Sequence, residues 1–431
     1  MHVFFSGIGG SGIGPLALVA HQAGFTVSGS DKQHNNYIGY LTQHGVTDIY
    51  VGQTYDQIAA IHAKQPIDWF VYTSALPIEQ PDAPELRFCR DQGIRTSKRD
   101  EFINLILTEK QLKLVAIAGT HGKTTTTAMA VWLFKQLGVP ISYALGAKLS
   151  FGDMGQFDTQ SEYFVYEADE FDRNFLAFQP YLSIITGIDW DHPDIYPTRD
   201  AYNTAFREFL QQSEQAVLWQ ADFTRLGLSE TGGQLILSEK DWRIDQSLHL
   251  PGHVNRLDAW QVAHAVHQIS GLPIEQLLEH LNRFPGVSRR FEQIVPNLYS
   301  DYAHTPPKIE GALQLAHEVA GDHVVVVYEG LHNTRQHFIK EQLVHLFDAV
   351  KQLYIVPSYL AREDPSLQVL SPQDLRGLLS PEAQKHTEPA QLDETLVANI
   401  RKHLDNDDLV LGFSAGGGGS LDEWLRKHFK A

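Results

Sequence analysis

The chain is short of cysteine, of long apolar runs and of positive charge, and each shortage excludes something. Cys89 is the single cysteine among 431 residues. One thiol closes no internal disulfide and builds no thiolate zinc cage. No stretch approaches the ~18 consecutive apolar residues of a membrane-spanning helix. The first residues run into a glycine-rich turn, not into the apolar core and cleavage site of a signal peptide. These readings predict a cytoplasmic protein with no membrane contact. Lys and Arg number 34 against 52 Asp and Glu, a formal net charge of −18. That balance argues against a broad nucleic-acid surface, which needs clustered basic side chains. It leaves room for anionic ligands, because a local pocket can be positive on an acidic protein.

The rest of the composition is that of an ordered globular protein, with 43% hydrophobic and 20% charged residues. At ~150 residues per domain, the length predicts three domains. Short apolar runs at 3–6, 69–73, 112–118, 163–166, 182–186, 216–219, 324–328, 353–356 and 409–413 read as strands. Amphipathic stretches separate them, and the stretch 124–137 reads as a helix closed by Gly138. This alternation predicts an α/β fold of parallel sheets covered by helices. Turn residues suggest joints near 105–113 and 284–288, which divides the chain into 1–107, 108–287 and 288–431.

The strongest chemical signal is Ala118-Gly-Thr-His-Gly-Lys-Thr-Thr125, between an apolar strand and a helix. A phosphate loop requires that context. Gly119, Thr120, His121, Gly122 and Thr125 supply backbone that can approach phosphates, with amides at a helix start. Lys123 can place an ammonium against the β- and γ-phosphates, and the Thr124 hydroxyl can ligate Mg²⁺. The usual first glycine is replaced by Ile117, so the motif is a Gly-Thr-x-Gly-Lys-Thr variant.

Two acidic runs follow strands: Glu167-Ala-Asp-Glu170 and Asp189-Trp-Asp-His192. Alone, such a run reads as a solvated loop. In a parallel sheet, both fall on the same edge as the phosphate loop, where carboxylates can hold Mg²⁺ against ATP. His192 is either a ligand or a group that orients a carboxylate. At the N-terminus, Gly7-x-Gly9-x-x-Gly12 follows a strand, and Asp31 ends the next apolar run. This is the pattern of a dinucleotide-binding turn, whose amides meet a diphosphate while an acidic residue meets a ribose or base. A dehydrogenase would use it for NAD. UDP-sugars carry a diphosphate too, and a second, ATP-type loop in the same chain favours them.

Together these motifs resemble the Mur ligase family, ATP-dependent amide-forming enzymes of peptidoglycan precursor synthesis. The resemblance rests on the N-terminal turn with Asp31, Thr73-Ser-Ala-Leu76, the loop Gly119 to Thr125, Glu167 to Asp172, Thr186 to His192, Pro251-Gly-His-Val-Asn255, Arg289-Arg-Phe291 and Asp301-Tyr-Ala-His-Thr-Pro306. It implies three domains: a Rossmann-like one over 1–107 for a UDP-sugar, a P-loop ATPase-like one over 108–287, and a Rossmann-like one over 288–431 for an amine. It implies ATP and Mg²⁺, and as substrates UDP-N-acetylmuramate with L-alanine or a recycled peptide, in a monomer or homodimer. By position, Gly9, Gly10, Ser11 and Gly12 would meet the diphosphate, with Asp31 and Ser74 around the uridine or sugar. Lys123 and Thr124 would hold ATP phosphate and metal, with Glu167 and His192 as further metal ligands. Asn255 and Asp258 would contact adenine, and Arg290 would reach the phosphates. Asp301 would contact ribose or amine, while His304 and Arg335 would position the incoming substrate.

Some positions depart from the family pattern. Gly187 and Asp258 stand where asparagines are usual, and Thr305 stands where members adding alanine have a second histidine. Asp258 at a base-contacting site would change hydrogen-bond polarity, since a carboxylate cannot donate. Glu329, Asn333 and Thr334, with the run Phe413 to Ser420, lean toward peptide-recycling members. A reading from a different class is a non-catalytic nucleotide- or UDP-sugar-binding protein. Retention of Lys123, Thr124, Glu167 and His192 argues against it.

Overall fold

The computed structural model describes residues 1–34, 36–74, 76–77, 80–192, 195–229, 232–360 and 363–429. Ala75, within the Thr73-to-Leu76 motif, lies outside them. Among the described residues, three sheets organise the fold. The first holds β1 (His2–Ser6), β2 (Thr26–Asp31), β3 (Asp48–Val51), β4 (Trp69–Tyr72) and β5 (Arg95–Lys98), all parallel, in the order β3-β2-β1-β4-β5. Strand order reverses between β1 and β4, the crevice where such sheets bind ligands. The glycine turn leaves β1 at that point.

The second sheet holds β6 (Lys113–Ala118), β7 (Ile141–Ala144), β8 (Gly155–Gln156), β9 (Tyr163–Glu167), β10 (Leu182–Ile185), β11 (Gln215–Trp219) and β12 (Gln234–Leu237). Their order is β12-β11-β10-β6-β9-β7-β8, with only the β7–β8 pair antiparallel. β6 therefore lies between β9 and β10, and the segments leaving these three strands share one edge. The third sheet holds β13 (Glu292–Val295), β14 (Leu298–Asp301), β15 (Val324–Leu331), β16 (Gln352–Tyr359), β17 (Thr387–Pro389) and β18 (Leu409–Phe413). Its order is β13-β14-β18-β15-β16-β17, parallel except for the β13–β14 hairpin.

These strands form where the sequence is continuously apolar, because helices cover both faces of a parallel sheet. All eight residues of β15 are buried. The expected strand at 324–328 thus continues to Leu331, and that at 353–356 grows to Gln352–Tyr359. The chain forms two compact units. Met1–Leu248 with Leu257–Phe284 carries the first two sheets, and His249–Arg256 with Pro285–Ala431 carries the third. One apolar core explains why the first two sheets stay together. It runs from Val3 and Phe5 through Phe102 and Tyr166 to Phe206 and Leu218. Cys89 is buried in a smaller core, where burial pushes its thiol up to about 12 and removes it from nucleophilic chemistry. Among the described residues, no helix is long and apolar enough to cross a membrane.

Candidate active site

The glycine turn is pinned to β2. Gly7 and Ile8 both donate their amides to the Ser30 carbonyl, at 2.8 and 3.0 Å. Gly9 donates its amide to Asp31 Oδ2 at 2.9 Å. Gly10 N–H reaches the Gly7 carbonyl at 2.9 Å and Gly14 N–H reaches the Gly10 carbonyl at 2.8 Å, so the turn winds into the helix Gly14–Gln22. Asp31, expected around the uridine or sugar, thus also holds the turn through Gly9. A Cβ on Gly146 would lie 3.7 Å from the Ser11 carbonyl, which sets this turn against the segment after β7. Ser74, just past β4, donates to Asn174 Oδ1 at 3.3 Å. Behind the turn, Glu85 is buried and accepts from Ser6 at 2.6 Å and Ser30 at 2.5 Å.

The phosphate loop leaves β6 and enters the helix Lys123–Gln136. Gly119 has φ +136°, and a Cβ there would overlap the Thr186 hydroxyl, so only glycine fits. Thr120 donates its amide to the Gly187 carbonyl at 2.8 Å and its hydroxyl to the Asp189 carbonyl at 2.6 Å. The Thr186 hydroxyl donates to the His121 carbonyl. Gly187 sits at φ +152°, a backbone conformation in which the family's usual asparagine would be strained.

Lys123 and Thr124 each meet a carboxylate of the same acidic run. Lys123 Nζ donates to Glu170 Oε2 and to the Gly119 carbonyl, both at 2.6 Å. Burial pulls the lysine pKa down, but the carboxylates of Glu170, Asp169 and Glu167 outweigh it and hold the ammonium at about 12. Thr124 Oγ1 lies 3.0 and 3.1 Å from the two oxygens of Glu167. Thr125 follows in the first turn of the helix. His192 Nε2 stands 3.7 Å from Glu170 Oε1 and 3.9 Å from Asp191 Oδ2. The histidine thus faces Glu170, a residue that sequence reasoning did not single out. Among the described residues, no three His, Cys, Asp or Glu side chains are spaced to hold a metal by themselves. Thr124 and Glu167 offer an all-oxygen set that suits Mg²⁺, which keeps water and phosphate as its other ligands.

Asp258 is fully buried, with both carboxyl oxygens 3.0 Å from where a Cβ on Gly122 would sit. Burial pushes its carboxyl well above the usual carboxylate range. Burial thus favours the protonated form, which, unlike the carboxylate, donates an O–H as an amide donates an N–H. Arg99 was also missed. Its Nη2 lies 3.4 Å from Asp169 Oδ2, and Lys98 beside it pairs with Asp172. Nothing in the local pattern marks these partners, which stand 70 and 74 residues apart.

The second unit holds the remaining residues. Asn255 donates to the Pro251 carbonyl at 2.8 Å, within its own turn. Asp301, at the end of β14, accepts from the amides of Phe291 and Ala303, each at 2.7 Å. Burial pushes its carboxyl up, and Arg290 opposes that. The Arg290 guanidinium lies 4.8 Å above the Tyr302 ring. His304 Nδ1 meets the Tyr302 carbonyl at 2.9 Å, so Nδ1 carries the proton and Nε2 remains an acceptor. Burial first, then Lys308, Arg335 and Arg290, lower its pKa to about 3, so the ring is neutral at physiological pH. Arg335 lies in the first turn of the helix Asn333–Leu343. The three residues that leaned toward peptide-recycling members are occupied by their own chain. Glu329 accepts from Ser414 at 2.7 Å and Leu421 N–H at 3.0 Å. Asn333 accepts from Leu370 N–H at 2.8 Å, and Thr334 reaches Glu363 at 3.2 Å.

The family model described as Mur ligase family, catalytic domain, matches residues 2–111, and that described as Mur ligase middle domain matches residues 117–230. A UDP-N-acetylmuramate–L-alanine ligase of Renibacterium salmoninarum is 30% identical, covering 84% of this chain and 83% of that protein. The crystal structure of the UDP-N-acetylmuramate-alanine ligase of Thermotoga maritima aligns with TM-score 0.76 at 24% identity, over 99% of this chain and 98% of that one. The murein peptide ligase of Psychrobacter arcticus aligns with TM-score 0.65 at 20% identity, over 97% and 96%. The two structures share the three-domain fold.

Proposed function

The chain belongs to the Mur ligase family, and from that premise we propose that it joins L-alanine to the carboxylate of UDP-N-acetylmuramate, cleaving ATP to ADP and phosphate. Family members are ATP-dependent ligases that form C–N bonds in the synthesis of peptidoglycan precursors. One observation carries the reading. A single compact unit holds both a glycine turn closed by Asp31 and a phosphate loop whose Lys123 and Thr124 meet Glu170 and Glu167. Residues 1–107 are the proposed UDP-sugar domain, 108–287 the ATP domain and 288–431 the domain that receives the amine, and the nucleotide substrates make the reaction cytoplasmic.

A carboxylate does not react with an amine at neutral pH, because its leaving group is poor. Transfer of the γ-phosphoryl group of ATP to a carboxylate oxygen, with ADP leaving, gives an acyl phosphate. The uncharged amine then attacks the carbonyl carbon, and the tetrahedral intermediate expels phosphate as the amide forms. The protein's part is positioning and charge neutralisation. Lys123, held charged by Glu170, neutralises the oxygens of the transferring group. The turn of Gly9, Gly10, Ser11 and Gly12 meets the diphosphate, with the Gly9 and Gly10 amides held by Asp31 and the Gly7 carbonyl, while Asp31 and Ser74 lie toward the uridine or sugar. Gly119, Thr120, His121, Gly122 and Thr125 cradle the ATP phosphates, with Asn255 and Asp258 toward the adenine. Thr124 and Glu167, with His192 beside Glu170, are the residues that would hold Mg²⁺. That ion, when bound, supplies positive charge to the phosphate oxygens. Of the residues on the second unit, Arg290 serves the phosphates, Asp301 the ribose or amine, and His304 and Arg335 position the incoming amino acid. The neutral His304 leaves Nε2 free to accept a hydrogen bond from the amine.

An amine panel tests the proposal. Purified protein, ATP, Mg²⁺ and UDP-N-acetylmuramate are offered alanine, serine, glycine or the recycled tripeptide, and phosphate release is measured. Release with alanine in preference to the others is the expected result. Release with the tripeptide alone overturns the choice of amine, and no release with any of them overturns the ligase assignment.

A further inference from the structure

Lys98 ends β5 and Arg99 opens the helix Arg99–Glu109, at the carboxyl edge of the first sheet. The Arg99 side chain is 19% exposed. Its Nη2 lies 3.4 Å from Asp169 Oδ2 and its Nε lies 3.7 Å from Asp100 Oδ1. Nη1 has a different neighbour: a Cβ on Gly12 would sit 2.5 Å from it, so the guanidinium edge lies directly on the glycine turn. Among the described residues Nη1 makes no hydrogen bond. The clasp on the far side is built into strained backbone. Asp172, which pairs with Lys98, and Arg173 are adjacent non-glycine residues at φ +52° and +58°. Strain of that kind persists where surrounding contacts impose it, and it clusters at functional segments.

We propose that Arg99 is a further substrate-binding residue, whose Nη1 edge takes an oxygen of the UDP-sugar diphosphate while Nη2 keeps Asp169. The inference rests on the reading of the glycine turn as the UDP-sugar site. A guanidinium is permanently charged and carries N–H donors on more than one edge, so it can bind a phosphate oxygen on one side and a carboxylate on another. Asp169 lies between Glu167 and Glu170, the partners of Thr124 and Lys123. One side chain thus ties the diphosphate turn to the acidic run at the phosphate loop. Bound diphosphate then fixes the sugar in register with the phosphoryl donor. The position against Gly12 points to the diphosphate and not to the sugar's own carboxylate.

Calorimetric titration of the full chain with two probes tests this. UDP-N-acetylmuramate carries the carboxylate, and UDP-N-acetylglucosamine has the same diphosphate without it. If the wild-type protein binds neither, the UDP-sugar reading itself falls. If it binds both, Arg99→Ala is expected to weaken both by about tenfold to a hundredfold, as loss of a charge-assisted hydrogen bond does. The KM for UDP-N-acetylmuramate is expected to rise in parallel, with the KM for ATP unchanged. Arg99→Lys keeps the charge without the fork, and is expected to fall between the two for both probes. Unchanged affinity in a folded Arg99→Ala or Arg99→Lys protein overturns the proposal. So does a loss confined to UDP-N-acetylmuramate, which would move the contact to the carboxylate.

Discussion

Lys123 Nζ and Glu170 Oε2 lie 2.6 Å apart, with the glutamate side chain only 1% exposed. The glutamate keeps the lysine charged and, with the Gly119 carbonyl, holds it at the loop, so that ATP meets an ammonium already in place. Lys123→Ala is expected to reduce ATP-dependent phosphate release by about a hundredfold to a thousandfold, the scale of losing one preorganised electrostatic group. UDP-sugar binding is expected to survive, since the glycine turn lies on the first sheet. Glu170→Gln keeps the shape but removes the charge, and is expected to lower kcat about tenfold or more. Loss of both activities in a folded Lys123→Ala protein counts against separate sites for the two nucleotides.

Asp258 gives a prediction about polarity. Both its oxygens face Gly122 from a buried position, and burial favours the protonated form of the carboxyl. Asparagine has the same shape and also donates. Asp258→Asn is therefore expected to leave the KM for ATP within about threefold, while Asp258→Leu, which cannot donate, raises it about tenfold. A tenfold rise in the asparagine variant would show that an ionised carboxylate is required.

The loop and its strand were legible because their signals are local. A run of buried apolar residues, Lys113–Ala118, is followed by glycines that only one backbone conformation explains. β5 was not legible. Arg95-Thr-Ser-Lys98 contains no apolar residue, and it forms at the edge of the first sheet by pairing with β4. Pairings between distant residues leave no trace in spacing. Glu170 stands 47 residues from Lys123, and only the adjacency of β6 and β9 brings them together. Glu329, Asn333 and Thr334, whose sequence leans toward peptide-recycling members, are hydrogen-bonded within the protein's own loops, which no spacing in the sequence shows.

Gly119 and Gly138 separate two reasons for a glycine. Both have positive φ, +136° and +66°. A Cβ on Gly138 meets nothing within 4 Å, whereas one on Gly119 overlaps the Thr186 hydroxyl and presses on Gly187. Gly138→Ala is expected to cost about 1 kcal/mol of stability from backbone strain alone, with activity retained. Gly119→Ala is expected to abolish the rise in Tm that a non-hydrolysable ATP analogue produces. An intact ligand-induced shift in Gly119→Ala would mean that this turn does not meet the phosphates.

Glu85 sets a pH dependence for the first unit. Its carboxyl is buried against Ser6 and Ser30, and burial raises its pKa from 4.5 to about 7, opposed by the two serine hydrogen bonds. The folded state thus holds its proton more tightly than the unfolded chain. The resulting stability is complete below pH 4.5 and is lost as pH rises through 7. A shift of this size corresponds to at most about 3 kcal/mol. Glu85→Gln keeps the size of the side chain without the titration. Urea unfolding between pH 5 and pH 8 is expected to show wild-type stability falling relative to the variant, so that the variant is the more stable at the higher pH. Parallel curves for the two proteins across that range would mean that Glu85 titrates at its ordinary value and that its serine partners, Ser6 and Ser30, stabilise the carboxylate as fully as water does.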